Sequence, residues 1–201
     1  PVPKPTLVRH LWGLDPPPRV DNTLQSKFSR LRRRLEQAGQ PAPAPIHHRN
    51  GGYVLDVPED AVDLLRVQAL GGHARECVRR GAYREAADLY DRALEHWSDD
   101  PLCELGGAWA ESLRQECSGL HDGLLARWAD AALALGQAAQ VDERLSGHGP
   151  TDVLTFAHMS ALVAEGRHAD AIGCYGLLRE RMREAQGTEP NPRTRHLFER
   201  A

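Results

Sequence analysis

No stretch of this 201-residue chain reaches eighteen consecutive apolar residues, so nothing in it reads as a membrane-spanning helix. The opening "PVPKPTLVRHLWG" has no apolar h-region, so no secretory leader is read there and a cytoplasmic location is expected. Aromatic residues are scarce at 5%, while alanine, leucine, arginine and glycine dominate, which favours helix over sheet. The four cysteines form no CxxC pair, which speaks against zinc and against a dithiol redox site. In a cytoplasmic chain they are expected to be reduced, small, half-buried helix residues. There is no HExxH and no GxxxxGK[ST] loop, and "SGHG" is no nucleophile elbow. Paired carboxylates such as Asp99–Asp100 stand without a supporting constellation. No catalytic residue, metal or other cofactor is therefore expected.

What is present is an uneven charge. Residues 1–50 carry nine Lys/Arg against three Asp/Glu, a net +6, ahead of a body that is net acidic. That asymmetry points to an anionic partner for the first part alone. The charge concentrates in "NTLQSKFSRLRRRLEQAG", with five cations between Lys27 and Arg34. Leu24, Phe28, Leu31 and Leu35 recur there at spacings of four, three and four, one buried stripe of a helix. The other face presents Gln25, Ser26, Lys27, Ser29, Arg30, Arg33 and Arg34. Charge alone fits an ordinary solvated helix face as well as a reader of phosphates.

The neighbouring segments separate these two readings. "TLVRHLWG" reads as a short helix with Leu7, Leu11 and Trp12 on one side and Gly13 as its stop. Three prolines then break the chain, and Asp21 or Asn22 can cap the basic helix. Gly39 and "QPAPAP" end it. Ile46 starts an extended run, Asn50-Gly51-Gly52 supplies the positive-φ residues of a tight turn, and Tyr53, Leu55 and Val57 alternate as in a strand. Helix, proline loop, basic helix and hairpin in that order make a winged helix-turn-helix, with the hairpin as its wing. A recognition helix lies in a major groove with polar side chains outward. Arg30 and Gln25 are placed for bidentate contact with base edges, and Ser26, Lys27, Ser29, Arg32 and Arg33 for phosphates. On the wing, which carries Asn50 at its tip, Arg49 is the residue placed to enter the minor groove. His47 and His48 read as plain surface residues.

From Ala61 onward the pattern is helical. "GAYREAADLYDRALEHW" sets Gly81, Ala86, Tyr90 and Ala93 at offsets that Gly166, Ala171, Tyr175 and Leu178 repeat in "GRHADAIGCYGLLRERM". A weaker copy, "GQAAQVDERL", begins at Gly136. Such recurrence signals stacked helical hairpins of a degenerate tetratricopeptide type. Tyr83, Tyr90 and Tyr175 read as packing residues. Two further helices are expected at roughly 104–117 and 120–135, with Trp109, Leu113, Leu124, Trp128 and Leu135 in the core, and breaks at "SGHGP" and "GTEPNP".

"LVRHLWGLDPPPRVDNTLQSKFSRLRRRLEQAG", then "NGGYVLDVPEDAVDLLRV", then the repeats and "GTEPNPRTRHLFER" run in an order that resembles the Streptomyces antibiotic regulatory proteins. The resemblance covers almost the whole chain. It implies a mainly α protein: an OmpR/PhoB-type winged helix with a β-hairpin wing over residues 1–58, then an all-α bacterial transcriptional activation domain of tetratricopeptide type over 59–201. It implies a small β-sheet and a long helix ahead of the "LVRHLWG" helix, of which only "PVPKPT" stands here, so the winged domain is expected without the N-terminal part of its core. "LSGHGPTDV" replaces a polar, arginine-containing link of the family. The implied function is sequence-specific activation of transcription at a secondary-metabolite gene cluster. The implied partners are double-stranded promoter DNA and RNA polymerase holoenzyme, with a homodimer left open and no membrane. Arg30 and Arg33 become the leading candidates for direct DNA contact, and Asp15, Arg19 and Asp21 for contact with polymerase. The alternative from another class is a helical-repeat scaffold or ligand-sensing module that does not bind DNA.

Overall fold

Gly81, Gly136 and Gly166 share one backbone geometry, with φ of 74°, 76° and 74°. Each follows the last turn of a helix, in the left-handed region that a Cβ disfavours. After each, the next residue's N–H reaches five residues back: Ala82 to Cys77 O at 2.9 Å, Gln137 to Ala132 O at 3.0 Å, Arg167 to Leu162 O at 2.8 Å. The chain therefore reverses three times by the same hydrogen-bonded turn, and the weak copy at Gly136 is a full member of the series. In this computed structural model residues 1–39, 45–97 and 101–201 are described, Gln186 by its backbone only. Gln40–Ala44 of the proline stretch and the Asp99–Asp100 pair lie outside them.

The turns join α3 (Asp63–Arg79) to α4 (Tyr83–Glu95), α5 (Ala108–Ala134) to α6 (Ala138–Leu145), and α7 (Asp152–Ala164) to α8 (His168–Gln186), with α9 (Pro192–Arg200) after them. Five residues past each turn glycine stands Ala86, Val141 or Ala171, all fully buried, and nine past it Tyr90, Leu145 or Tyr175, also buried. Helix–helix approach is close where side chains are smallest: a Cβ on Gly71 would sit 2.8 Å from Leu124 Cδ2. Tyr83, by contrast, is 37% exposed at the start of α4 and does not share the packing role of Tyr90 and Tyr175. The helices expected at 104–117 and 120–135 are one helix, α5. Gly119 and Gly123 lie inside it, and a glycine costs a helix only about 1 kcal/mol, too little to break one held by packing. Three cysteines lie in helices, Cys77 and Cys117 buried and Cys174 half-buried, whereas Cys103 is exposed in a turn.

The "GTEPNP" break is a compact joint. Gly187 ends α8 in the left-handed region, Glu189 pairs with Arg179 and Arg183, and Asn191 caps α9 by accepting from Thr194 N at 3.0 Å. Asp152, at the start of α7, accepts from Asn191 N at 2.8 Å and from the buried Thr194 hydroxyl at 2.5 Å.

Residues 1–62 and 102–114 form one compact unit, and residues 63–101 and 115–201 the other. The first holds β1 (Val2–Pro3), α1 (Lys4–Trp12), α2 (Val20–Gln37), β2 (Ile46–Arg49) and β3 (Gly52–Leu55), followed by a 3-10 turn at Glu59–Ala61. Its antiparallel sheet has the order β1-β3-β2, with Val2 opposite Tyr53 and His48 opposite Tyr53 on the other side. Leu24, Ile46 and Tyr53 are its buried centre, and Leu7, Val8, Trp12, Phe28 and Leu35 pack on them.

Candidate nucleic-acid interface

The basic helix begins earlier than its sequence suggests. Val20 is its first residue and Arg19 its N-cap, without a side-chain cap, so neither Asp21 nor Asn22 caps it. The Thr23 N–H and hydroxyl both donate to Arg19 O at 3.0 Å. Asp21 lies in the first turn, where a carboxylate complements the helix dipole, and pairs with Lys4 at 3.4 Å. At 1.5 Å per residue the eighteen residues extend about 27 Å.

The apolar stripe is narrower than expected. Leu24 is buried and Phe28 stacks on Tyr53, ring centroids 3.6 Å apart, but Leu31 is 43% exposed. On α1, Leu11 is 51% exposed and Val8 takes the packing position expected of it. Leu11 and Leu31 instead line an apolar groove of about 470 Å3 together with Val2, Phe28 and Trp109. Trp109 is 40% exposed and stacks on His10 at 5.1 Å, in the N-terminal unit and not in the helical core.

Gln25, Ser26, Lys27, Ser29, Arg30, Arg33 and Arg34 are all exposed. With about 100° between successive residues, Ser26 and Arg33 stand opposite Leu24 and Leu35, with Ser29 and Arg30 to either side. Gln25 and Arg32 lie toward one flank, Lys27 toward the other. The flanks are tied down. Arg32 Nε donates to Ile46 O at 2.9 Å, fixing the helix to the first strand of the wing. Lys27 Nζ sits 5.7 Å from the centre of the Trp12 ring. Among the described residues, none forms a hydrogen bond or ion pair with the side chains of Arg30, Arg33, Arg34 or Arg49. Their charges face solvent.

The wing is a two-residue hairpin. Asn50 and Gly51, at φ 51° and 74°, make its turn, and Arg49 closes β2 opposite Gly52. Gly52 is not a positive-φ residue: it is glycine because β1 passes over it, and a Cβ there would lie 2.3 Å from Val2 O. Leu55 is 57% exposed, so the alternation read for Tyr53, Leu55 and Val57 breaks at Leu55, and the half-buried Val57 lies past the end of the strand. His47 and His48 are exposed, His48 with its edge toward Tyr53. The α1–α2 loop presents Asp15 and Arg19, and the first turn of α2 presents Asp21, all exposed, near a fully exposed Leu14. Sequence reasoning missed the structural duties of Arg32, Lys27 and Trp109. The one available signal was that Arg32 follows Phe28 by a helical turn.

The bacterial transcriptional activator domain family matches residues 62–200. The chain belongs to that family. Its relatives place it among the Streptomyces antibiotic regulatory proteins. It is 30% identical over 199 residues to the regulatory protein AfsR of Streptomyces coelicolor, covering 96% of this chain and 19% of that protein. It is 30% identical over 208 residues to the regulatory protein DnrI of Streptomyces peucetius, covering 98% and 76%. A solved structure of Mycobacterium tuberculosis EmbR in complex with a low-affinity phosphopeptide superposes with a TM-score of 0.87 at 25% identity, across 100% of this chain and 54% of that one. The chain thus spans about a fifth of AfsR and about half of EmbR. Members of this bacterial transcriptional activator domain family are transcriptional regulators and not enzymes. No helix among the described residues is long and apolar enough to cross a membrane.

Proposed function

We propose that the chain is a sequence-specific activator that binds double-stranded promoter DNA through residues 1–58 and recruits RNA polymerase holoenzyme, with residues 59–201 as the activator domain. The observation that carries this reading is the outward face of α2, where Arg30 and Arg33 stand without partners among the described residues, beside Ser26 and Ser29. In a major groove about 12 Å wide, that face reaches base edges and both phosphate walls. Arg30 and Gln25 take base edges, Ser26, Lys27, Ser29 and Arg33 phosphates, and Arg49 and Asn50 the adjacent minor groove. Arg32, anchored to Ile46, contributes charge from the flank. Asp15 and Arg19 in the loop and Asp21 in the first turn of α2 face polymerase. The regulated promoters are those of a secondary-metabolite cluster, in keeping with the resemblance to the Streptomyces antibiotic regulatory proteins. A second copy on the promoter would show as a two-step titration.

The test is a competition titration against operator and scrambled duplexes at one fixed salt. Arg30→Lys keeps the charge but loses the planar fork that matches both acceptors of guanine, so discrimination falls by about 1–3 kcal/mol while scrambled binding holds. Lys27→Ala lowers both affinities and keeps their ratio. Equal proportional losses for Arg30→Lys on both duplexes would remove Arg30 from base reading.

A further inference from the structure

The helical unit carries a side-chain cluster that the DNA-binding reading does not use. Three successive helices each contribute one member: Asp142 from α6, His158 from α7 and Cys174 from α8. Cys174 Sγ lies 3.8 Å from His158 Nδ1, and His158 Nε2 lies 2.7 Å from Asp142 Oδ1. Asp142 Oδ2 takes Arg167, whose Nε also donates to Asp170 at 2.8 Å. The order is thiol, imidazole, carboxylate, guanidinium. An ionised Asp142 only accepts, so His158 carries its hydrogen on Nε2 and turns the Nδ1 lone pair to the thiol. Among the described residues no group of His, Cys, Asp and Glu converges as a metal site, so the relay is not a disguised metal centre.

A cavity of about 120 Å3 opens onto this relay. Cys174 and His158 line it with the apolar Leu145, Leu154 and Leu177 and the polar Thr155. Thr155, 5% exposed as a residue, brings a hydroxyl to the same cavity wall. A hydroxyl on the wall that the thiol and its base also line can donate to a ligand's oxygen.

We propose that Cys174 is a site of covalent modification by small conjugated carbonyl compounds, with His158 as the group that takes and returns the thiol proton. As the proton passes to Nδ1, the sulfur electron pair bonds the β-carbon of the electrophile. The π pair shifts toward the carbonyl as an enolate, whose oxygen the Thr155 hydroxyl can meet. His158 then returns the proton to the α-carbon. One S–C bond has formed, one C=C π bond is gone, nothing has been oxidised and no group has left. The imidazolium that exists between the two transfers is held by Asp142. Hydrogen bonding to Cys174 raises the pKa of His158 above its ordinary value of 6.5, Asp142 adding to this and burial opposing it. The other thiols lack this setting. Burial pushes the Cys117 thiol up, Glu116 and Asp63 adding, Cys77 is buried, and Cys103 is exposed with no imidazole within reach among the described residues.

The experiment is a time course of the full chain with limiting N-ethylmaleimide, itself a conjugated carbonyl, read cysteine by cysteine by mass spectrometry. Cys174 should react about tenfold faster than Cys103 at pH 7 although it is less exposed, because the thiolate is the nucleophile. Lowering the pH from 8 to 6 should slow Cys103 steeply and Cys174 far less. The groups facing His158 in that titration are Cys174 and Asp142, with Arg167 behind Asp142 and His148 on the cavity wall. His158→Gln should bring Cys174 down to the Cys103 rate while Cys103 stays unchanged. If that variant unfolds, Cys77 and Cys117 will react as well, and the wild-type ratio and pH profile decide. A Cys174 rate at or below that of Cys103, or the same pH slope for both, overturns the proposal.

Discussion

Two glycines that flank the start of α8 allow one chemical change to be made in opposite conformations. Gly166 closes the α7–α8 turn at φ 74°, and Gly173 lies on the exposed face of α8. A Cβ at either position would meet no atom within 4 Å, so packing drops out of the comparison. What remains is backbone. At Gly166 an alanine must hold the left-handed region, which costs about 1–2 kcal/mol. At Gly173 an alanine gains helix propensity and restricts the unfolded chain, worth about 0.8–1 kcal/mol. The two variants should differ by roughly 2–3 kcal/mol although each adds only a methyl group. For a unit of this size, thermal unfolding followed by far-UV circular dichroism should show Gly173→Ala raising Tm by about 3 °C and Gly166→Ala lowering it by about 3–6 °C. Shifts of the same sign would mean that the turn is not held in the left-handed region, and the repeat reading would fail at the joint that defines it.

Ala86→Leu should overpack a fully buried site between α3 and α4 and cost about 1–3 kcal/mol in urea denaturation; an unchanged midpoint would place Ala86 outside the core. Gly52→Ala should disrupt the pairing of β1 with β3, since its Cβ would meet backbone that cannot rotate away, and amide exchange at Tyr53 should accelerate while α8 keeps its protection. Asp142 is held below its ordinary value of 3.8 by the hydrogen bond with His158, Arg167 adding and burial opposing, so its stabilisation is present above that value and is lost as pH falls through the lower, folded value. His158 has the opposite sign: its contribution is full below 6.5 and fades as pH rises through its raised value. Asp142→Asn should therefore flatten both limbs of stability against pH, and unchanged limbs would remove the relay from the stability of the unit. With Lys27, Arg32, Arg33 and Arg34 as the cations at the phosphates, promoter affinity should fall with salt at a log–log slope of about 3.6, and a slope near zero would rule out phosphate contact as the main source of affinity.

Much of this was legible in the chain. The turn glycines are visible because positive φ selects one residue type, and the offsets to Ala86, Ala171, Tyr90 and Tyr175 are visible because close helix packing selects size. Asn50-Gly51 gives away the hairpin for the same reason. The mainly α class and the small hairpin followed directly. The failures have a common cause. Leu11, Leu31, Leu55 and Trp109 are apolar and in helical or strand register, yet 40–57% exposed. Periodicity reports which residues share a face, and cannot report whether anything lies against that face. The break expected between 117 and 120 failed in the other direction, since the local cost of Gly119, about 1 kcal/mol, is easily outweighed by the packing of Leu124, Leu125 and Trp128. In the candidate interface the exposed cations were readable, but the bond from Arg32 to Ile46 joins segments with no fixed spacing, so nothing in the sequence pointed to Ile46 as its partner. The relay of Cys174, His158 and Asp142 escaped for the same reason, its members 16 residues apart at each step.

The assignment of residues 102–114 to the N-terminal unit changes what counts as a module. In the linear order of the gene, that stretch is interior to the family's activator domain, 62–200. In space its neighbours include His10, which stacks on Trp109, and its own fold is pinned by Arg114, which donates to Leu102 O and Leu105 O. A recombination joint at residue 62 would thus exchange the basic helix α2 but leave behind the partner of His10. Chimaeras that swap readers between regulators of this kind should work best when the donor supplies both pieces, in two crossovers instead of one. Residues at 10 and 109 should be inherited together more faithfully than their distance along the gene would suggest.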